Sequence, residues 1–173
     1  MDKEYSKILK VIKEKYGRPI TIKFVSNKKT RYAESRIFSS TIYFSKEFWK
    51  TLTFEEKLAV IFHEIGHHAL YFRYIRYLLL AISLILFLFG LITKNYAPLL
   101  IWFLCFFVLF FFLSRKEEKS ADTFAAEKIG KAYMISALKK IKVNKNIPLY
   151  KKMIYLFTHP SIEERIKNLE KNS

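Results

Sequence analysis

Two uncharged apolar stretches divide the chain. Residues 77–92 and 97–113 contain no Asp, Glu, Lys or Arg, and only Thr93-Lys94-Asn95-Tyr96 lies between them. At 16 and 17 residues they sit at the short end for helices that cross a bilayer, and Tyr74, Ile75 and Ser114 extend each by a turn into the interface. The pattern predicts two spanning helices joined as a tight hairpin. A core hairpin in a soluble domain is the competing reading, but the rest of the chain is too charged to cover both helices.

Before the hairpin the periodicity changes twice. Tyr5, Ile8, Leu9, Ile12 and Tyr16 fall on one helical face, and Gly17 with Pro19 ends that helix. Ile20-Thr21-Ile22-Lys23-Phe24 alternates as a half-buried strand, with a turn expected at Asn27-Lys28-Lys29. A second extended segment falls within 36–45, with Ile42 and Phe44 on one face and Thr41 and Tyr43 on the other. Thr53-Phe54-Glu55-Glu56 reads as a capping box that starts a long helix, and Ser161 with Glu164 reads as another. No internal repeat appears. The charged stretch 1–17 lacks the apolar core of a signal peptide.

Charge adds an orientation. Lys and Arg outnumber Asp and Glu by 31 to 15, a net +16, which suits an anionic partner such as the inner face of a bilayer or a nucleic acid. With the apolar runs present and no nucleic-acid-reading motif, the bilayer is the expected partner and nucleic acid is not. Arg73 and Arg76 precede the first run, Arg115, Lys116 and Lys119 follow the second, and the loop between carries only Lys94. The positive-inside rule then puts both ends of the hairpin, and both termini, in the cytoplasm. The single cysteine, Cys105, lies inside an apolar run and excludes an internal disulfide.

The candidate chemistry is on the helix that Thr53 starts. His63-Glu64-Ile65-Gly66-His67 puts two histidines four apart, one turn apart on one face, so both imidazoles reach a single ion. Glu64 projects beside them, placed to take a proton from a water on the metal. Zinc accepts such a set and lowers the pKa of its water to about 7. Gly66, a small residue beside the histidines, allows another backbone to approach closely. His68 has no assigned task. A third ligand is required, and Glu118 and Asp122, i and i+4 after the second apolar run, are the next candidates. One would bind the metal while the other holds a ligand imidazole. His159, at the entrance of the helix begun by Pro160 and Ser161, is placed to point into a cleft.

The order of these motifs resembles the HtpX-like membrane metallopeptidases, gluzincins related to the CAAX prenyl proteases. The matching stretches are Thr41-Ile42-Tyr43-Phe44-Ser45, residues 52–67, Ser114-Arg115-Lys116-Glu117-Glu118-Lys119-Ser120-Ala121-Asp122, and Thr158-His159-Pro160-Ser161-Ile162-Glu163-Glu164-Arg165-Ile166. The resemblance covers about residues 31–169. It implies that Glu118, rather than Glu117, is the third ligand of one zinc ion held with His63 and His67. It further implies that Asp122 supports the site, that His159 stabilises the oxyanion, and that Arg165 orders the surroundings. Two departures stand out: no further membrane hairpin precedes the catalytic part, and the glycine and asparagine usual ahead of the edge strand are missing around Tyr32-Ala33-Glu34-Ser35.

Together these readings predict an α+β, zincin-like minimal metallopeptidase domain with a small sheet and an active-site helix. Residues 1–76 and 114–173 would form it, interrupted by a two-helix transmembrane hairpin at 77–113. The expected protein is a membrane-anchored zinc endopeptidase of a prokaryotic plasma membrane, with two spans and a cytoplasmic active site. It would act on peptide or protein substrates, with membrane-protein quality control the role that the resemblance implies. Thr41–Ser45 would be the edge strand that pairs with an extended substrate. The alternatives are a CAAX-type prenyl protease and an inactive, basic membrane-bound interaction protein. Oligomeric state is not legible.

Overall fold

The computed structural model describes residues 2–26, 32–35, 40–69, 72–141 and 156–171. Helix α1 (Asp2–Tyr16) buries Ile8 and Ile12 on the face its periodicity marks. It stops at Gly17, whose φ of +78° is a left-handed conformation that glycine adopts without strain. The Gly17 N–H closes the last turn on Lys13 O at 3.0 Å.

Three strands follow: β1 (Thr21–Val25), β2 (Ala33–Ser35) and β3 (Thr41–Ser45), in the order β1-β3-β2. β3 runs parallel to β1, with Ile22 opposite Ile42, and antiparallel to β2, with Glu34 opposite Tyr43. Thr41–Ser45 is therefore the central strand, and its expected place at the sheet edge is corrected. Both of its hydrogen-bonding edges are occupied, and Ile42, Phe44 and Ser45 are buried. The expected turn at Asn27-Lys28-Lys29 and the start of the segment 36–45 lie outside the described residues.

Ser45 ends β3 and caps α2 (Lys46–Thr51), its hydroxyl accepting from Phe48 N at 3.2 Å. Trp49 then packs edge-on against Phe24 and Phe44 at about 5 Å, locking α2 to the sheet. The capping box of α3 (Phe54–Ala69) is reciprocal: Thr53 N donates to Glu56 Oε2 at 2.6 Å and Glu56 N to Thr53 Oγ1 at 3.3 Å. Glu56 is itself buried and receives Ser136 Oγ and Lys140 Nζ, which fastens α6 (Lys131–Lys139) to the start of α3. Burial would raise the Glu56 pKa, but these donors outweigh it and hold the carboxyl below its ordinary value.

α3 is the axis of the core, with Ala59, Ile61, Phe62 and Ile65 wholly inaccessible. Helix α4 (Phe72–Thr93) and helix α5 (Ala97–Ile129) carry the apolar runs. They pack along one another, with Trp102 Nε1 donating to Ser83 Oγ at 2.8 Å. α5 does not end with its apolar run. It continues unbroken through the charged stretch 114–122, so one helix about 50 Å long joins both. Its first half is uncovered: no residue of its apolar window is buried, and Leu100, Ile101 and Val108 are each more than 60% exposed. Its second half is packed, with Glu117, Glu118, Ala121, Asp122 and Ala125 buried. One long and one shorter apolar helix, Ala97–Ile129 and Tyr77–Thr93, are compatible with a membrane protein. The last helix, α7 (Ile162–Lys171), closes over α5 and α6 and buries Arg165 and Leu169.

Candidate metal centre

The α3–α5 crossing builds the site, and one glycine sets how close it is. A Cβ on Gly66 would lie 3.0 Å from Ala121 Cα and 3.2 Å from Ala121 Cβ. The absence of that atom lets the two helices nearly touch, as expected of a small residue between the histidines. His63 and His67 on α3 then face Glu118 on α5. Their ligand atoms all lie within 4.8 Å of one another. The two imidazole Nε2 atoms are 3.2 Å apart, and Glu118 oxygens are 3.7 Å from His63 Nε2 and 3.6 Å from His67 Nε2. The rings stand nearly perpendicular, at 89°.

The other nitrogen of each ring is held by a carboxylate. His63 Nδ1 is 2.9 Å from Asp122 Oδ1, and His67 Nδ1 is 3.1 Å from Glu117 Oε1. A carboxylate at Nδ1 keeps the proton there and leaves the Nε2 lone pair facing inward. Two nitrogen donors and one oxygen donor converge, oriented from behind, and this cluster fits a metal site. Arg165 backs it from α7. Its Nε and Nη2 donate to the two Asp122 oxygens at 2.7 and 2.6 Å, and its Nη1 is 3.2 Å from Glu118 Oε2.

Electrostatics follow from this packing. Burial would raise the Asp122 carboxyl, but the Arg165 fork and His63 pull it down to about 2. Burial would likewise raise Glu118, yet Arg165 and the imidazoles hold it below its ordinary value. For His67 burial works toward the neutral form and loses. The hydrogen bond that His67 donates to Glu117 and the charges of Glu118 and Glu64 raise its pKa to about 9. His159 is lowered, first by burial, with the cationic Arg165 adding to it against the pull of Glu118.

His159 Nε2 is 3.6 Å from Glu118 Oε1, and its Nδ1 is 2.8 Å from Thr158 Oγ1. The capping box behind it is present, with Ser161 N on Glu164 Oε2 at 3.0 Å and Glu164 N on Ser161 Oγ at 3.1 Å. Glu64, His68 and His159 line a cavity of about 620 Å³ that also reaches β2 and the apolar side chains Tyr77 and Phe110. The fold thus brings together His63, Glu64, His67, Glu118, Asp122, His159 and Arg165. It does not bring Thr41–Ser45 to the cavity, whose strand wall is Ala33–Ser35 of β2.

Glu117 had no expected part. The signal was available: 117 and 121 form a helical row beside that of 118 and 122, and a helix pressed against α3 presents both rows. Arg115, read only as a membrane-flanking charge, is engaged as well. It donates to Leu156 O, His159 O and Glu164 Oε2.

Compared with known families, residues 10–173 match the sequence pattern of Peptidase family M48. No curated protein matches the chain in sequence.

Proposed function

This chain belongs to peptidase family M48, and from that premise we propose that it is a membrane-anchored zinc endopeptidase working at the cytoplasmic membrane face. Membership implies metallopeptidase activity on a peptide or protein substrate. The observation that carries the assignment to particular residues is the convergence of His63, His67 and Glu118 within 4.8 Å, with carboxylates behind both histidines.

In this reading His63, His67 and Glu118 hold one zinc ion. When bound, zinc polarises a carbonyl oxygen and brings the pKa of coordinated water to about 7. Glu64, in the cavity wall, takes the proton of the attacking water and hands it to the leaving amine. His159 donates from Nε2 to the oxygen that gains charge as the carbonyl becomes tetrahedral. Thr158 Oγ1 lies 2.8 Å from His159 Nδ1, and in the tautomer this role requires the hydroxyl donates there, which keeps the His159 proton on the nitrogen that faces the site. Asp122 and Glu117 fix the ligand imidazoles, and Arg165 neutralises the Asp122–Glu118 pair. An extended substrate pairs with the outer edge of β2, since the inner edge is taken by β3.

Two observations support the membrane anchor. Away from their contact with each other, α4 and α5 expose most of their apolar side chains among the described residues, Leu84, Ile85, Leu100 and Val108 among them, and water would not tolerate a patch of that size. The cationic residues Arg73, Arg76, Arg115, Lys116 and Lys119 flank the outer ends of these helices, against Lys94 alone at the connection. Residues 77–113 are then a transmembrane hairpin, and 1–76 with 114–173 form the cytoplasmic domain. The apolar cavity wall of Tyr77, Leu80 and Phe110 favours a second reading, a prenyl protease.

Hydrolysis of labelled unfolded casein by the purified protein, beside a prenylated peptide, tests both. The proposal expects casein cleavage that Glu64→Gln lowers at least ~1,000-fold, in the range for removing a general base and more. Full activity of Glu64→Gln would remove Glu64 from its role. Cleavage of the prenylated peptide alone would replace the endopeptidase with the prenyl protease.

A further inference from the structure

We infer that Arg115 is a positioning residue that holds His159 over the metal cluster. His159 lies in the bend between the helical turn at 156–158 and α7, where Pro160 offers no N–H and the carbonyls of Leu156 and His159 need a donor from elsewhere. Arg115 supplies it from α5, one turn before Glu118. Its Nη1 donates to Leu156 O at 2.9 Å and His159 O at 3.2 Å, and its Nη2 to Glu164 Oε2 at 2.6 Å. That Glu164 oxygen also accepts from Ser161 N, the cap of α7. One guanidinium therefore spans the turn from both sides, with His159 and the buried Pro160 between.

The consequence is geometric. Arg115 and Glu118 share a rigid helix, so the clamp fixes His159 relative to a metal ligand. His159 Nε2 sits 3.6 Å from Glu118 Oε1. The planar fork of arginine serves three acceptors at once, which a lysine ammonium on a flexible stem does not reproduce. The pair with Glu164 is partly exposed, so its charge energy is screened and its value lies in orientation. Phe157 packs on Phe111 as a tilted ring pair with centroids 5.3 Å apart, a second anchor that keeps the stretch docked when the clamp is cut. Arg165 cannot substitute, because its fork is spent on Asp122 and Glu118.

This inference rests on the reading of His159 as oxyanion donor, and its test separates the two. Arg115→Ala, Arg115→Lys, His159→Ala and the Arg115→Ala/His159→Ala double variant are made in the full chain. Zinc content, casein kcat and KM, and amide hydrogen exchange are measured on each. Arg115→Ala should retain zinc, lower kcat ~10- to 100-fold as a misplaced group does, and leave KM within about twofold. Exchange across 156–164 should quicken by about tenfold or more, while the interior of α3 is unchanged. Arg115→Lys should recover only part of kcat, and Arg115→Ala should cost nothing further once His159 is alanine. Additive losses in the double variant or unaltered exchange across 156–164 overturn the clamp, whereas unchanged kcat in His159→Ala overturns the oxyanion reading of His159 and leaves exchange to decide the clamp. The peptidase reading fails separately, through Glu64→Gln retaining activity or a wild-type chain without hydrolysis, and exchange still decides the clamp in that event.

Discussion

At the scale of residues, the site is a set of opposed charges resolved by contact. Four carboxylates, Glu64, Glu117, Glu118 and Asp122, lie buried around two histidines, with Arg165 among them. The excess of acid explains why His67 holds a proton up to about 9 without metal. A metal must displace that proton, so zinc affinity should rise about tenfold per pH unit below pH 9 and level off above it. Chelator competition across pH 6.5–10 measures this, and a flat profile would contradict it. Glu117→Gln removes the hydrogen-bonded charge and should move the plateau to lower pH. The sign for folding is the reverse. A raised histidine pKa stabilises the metal-free fold fully below its ordinary 6.5 and no longer above about 9.

At the scale of elements, what was legible in the sequence is what a single helix or strand decides. The i, i+4 histidines, the two capping boxes and the Gly17 stop are local, and each appears with the expected partners. The strand order is not local. Nothing in the alternation of Thr41–Ser45 says that β2, three residues long and unpatterned, folds back to cover its free edge. Glu117 and Arg115 were obscured for a similar reason. In a Lys/Glu-rich stretch an inward carboxylate looks like a solvated one until a partner helix arrives. Gly66 offers a test at this scale. Gly66→Ala gains about 1 kcal/mol of helix propensity but meets the α5 backbone. Gly66→Val adds branches there, and overpacking of about 1–3 kcal/mol should win. Thermal unfolding of the zinc-loaded protein should show Gly66→Val melting lower with weakened zinc, whereas a rise in Tm would contradict the close approach of Ala121.

At the scale of the molecule, α5 is the unusual member. One helix presents an uncovered apolar half and a buried half that carries Glu117, Glu118 and Asp122, so in the proposed membrane-anchored arrangement helix rise rather than a linker would set the site's distance from the bilayer. The topology is testable with Cys105→Ser as background. Lys94→Cys should react with an impermeant maleimide added outside intact cells, and Ser6→Cys should react only after lysis. The opposite pattern would invert the protein.

The central claim is that His63, His67 and Glu118 hold one zinc ion. Metal content of the purified full chain tests it most directly. The expected result is one zinc per chain, retained in Glu64→Gln and lost in Glu118→Ala; a wild-type protein without zinc, or Glu118→Ala with its zinc intact, would contradict it.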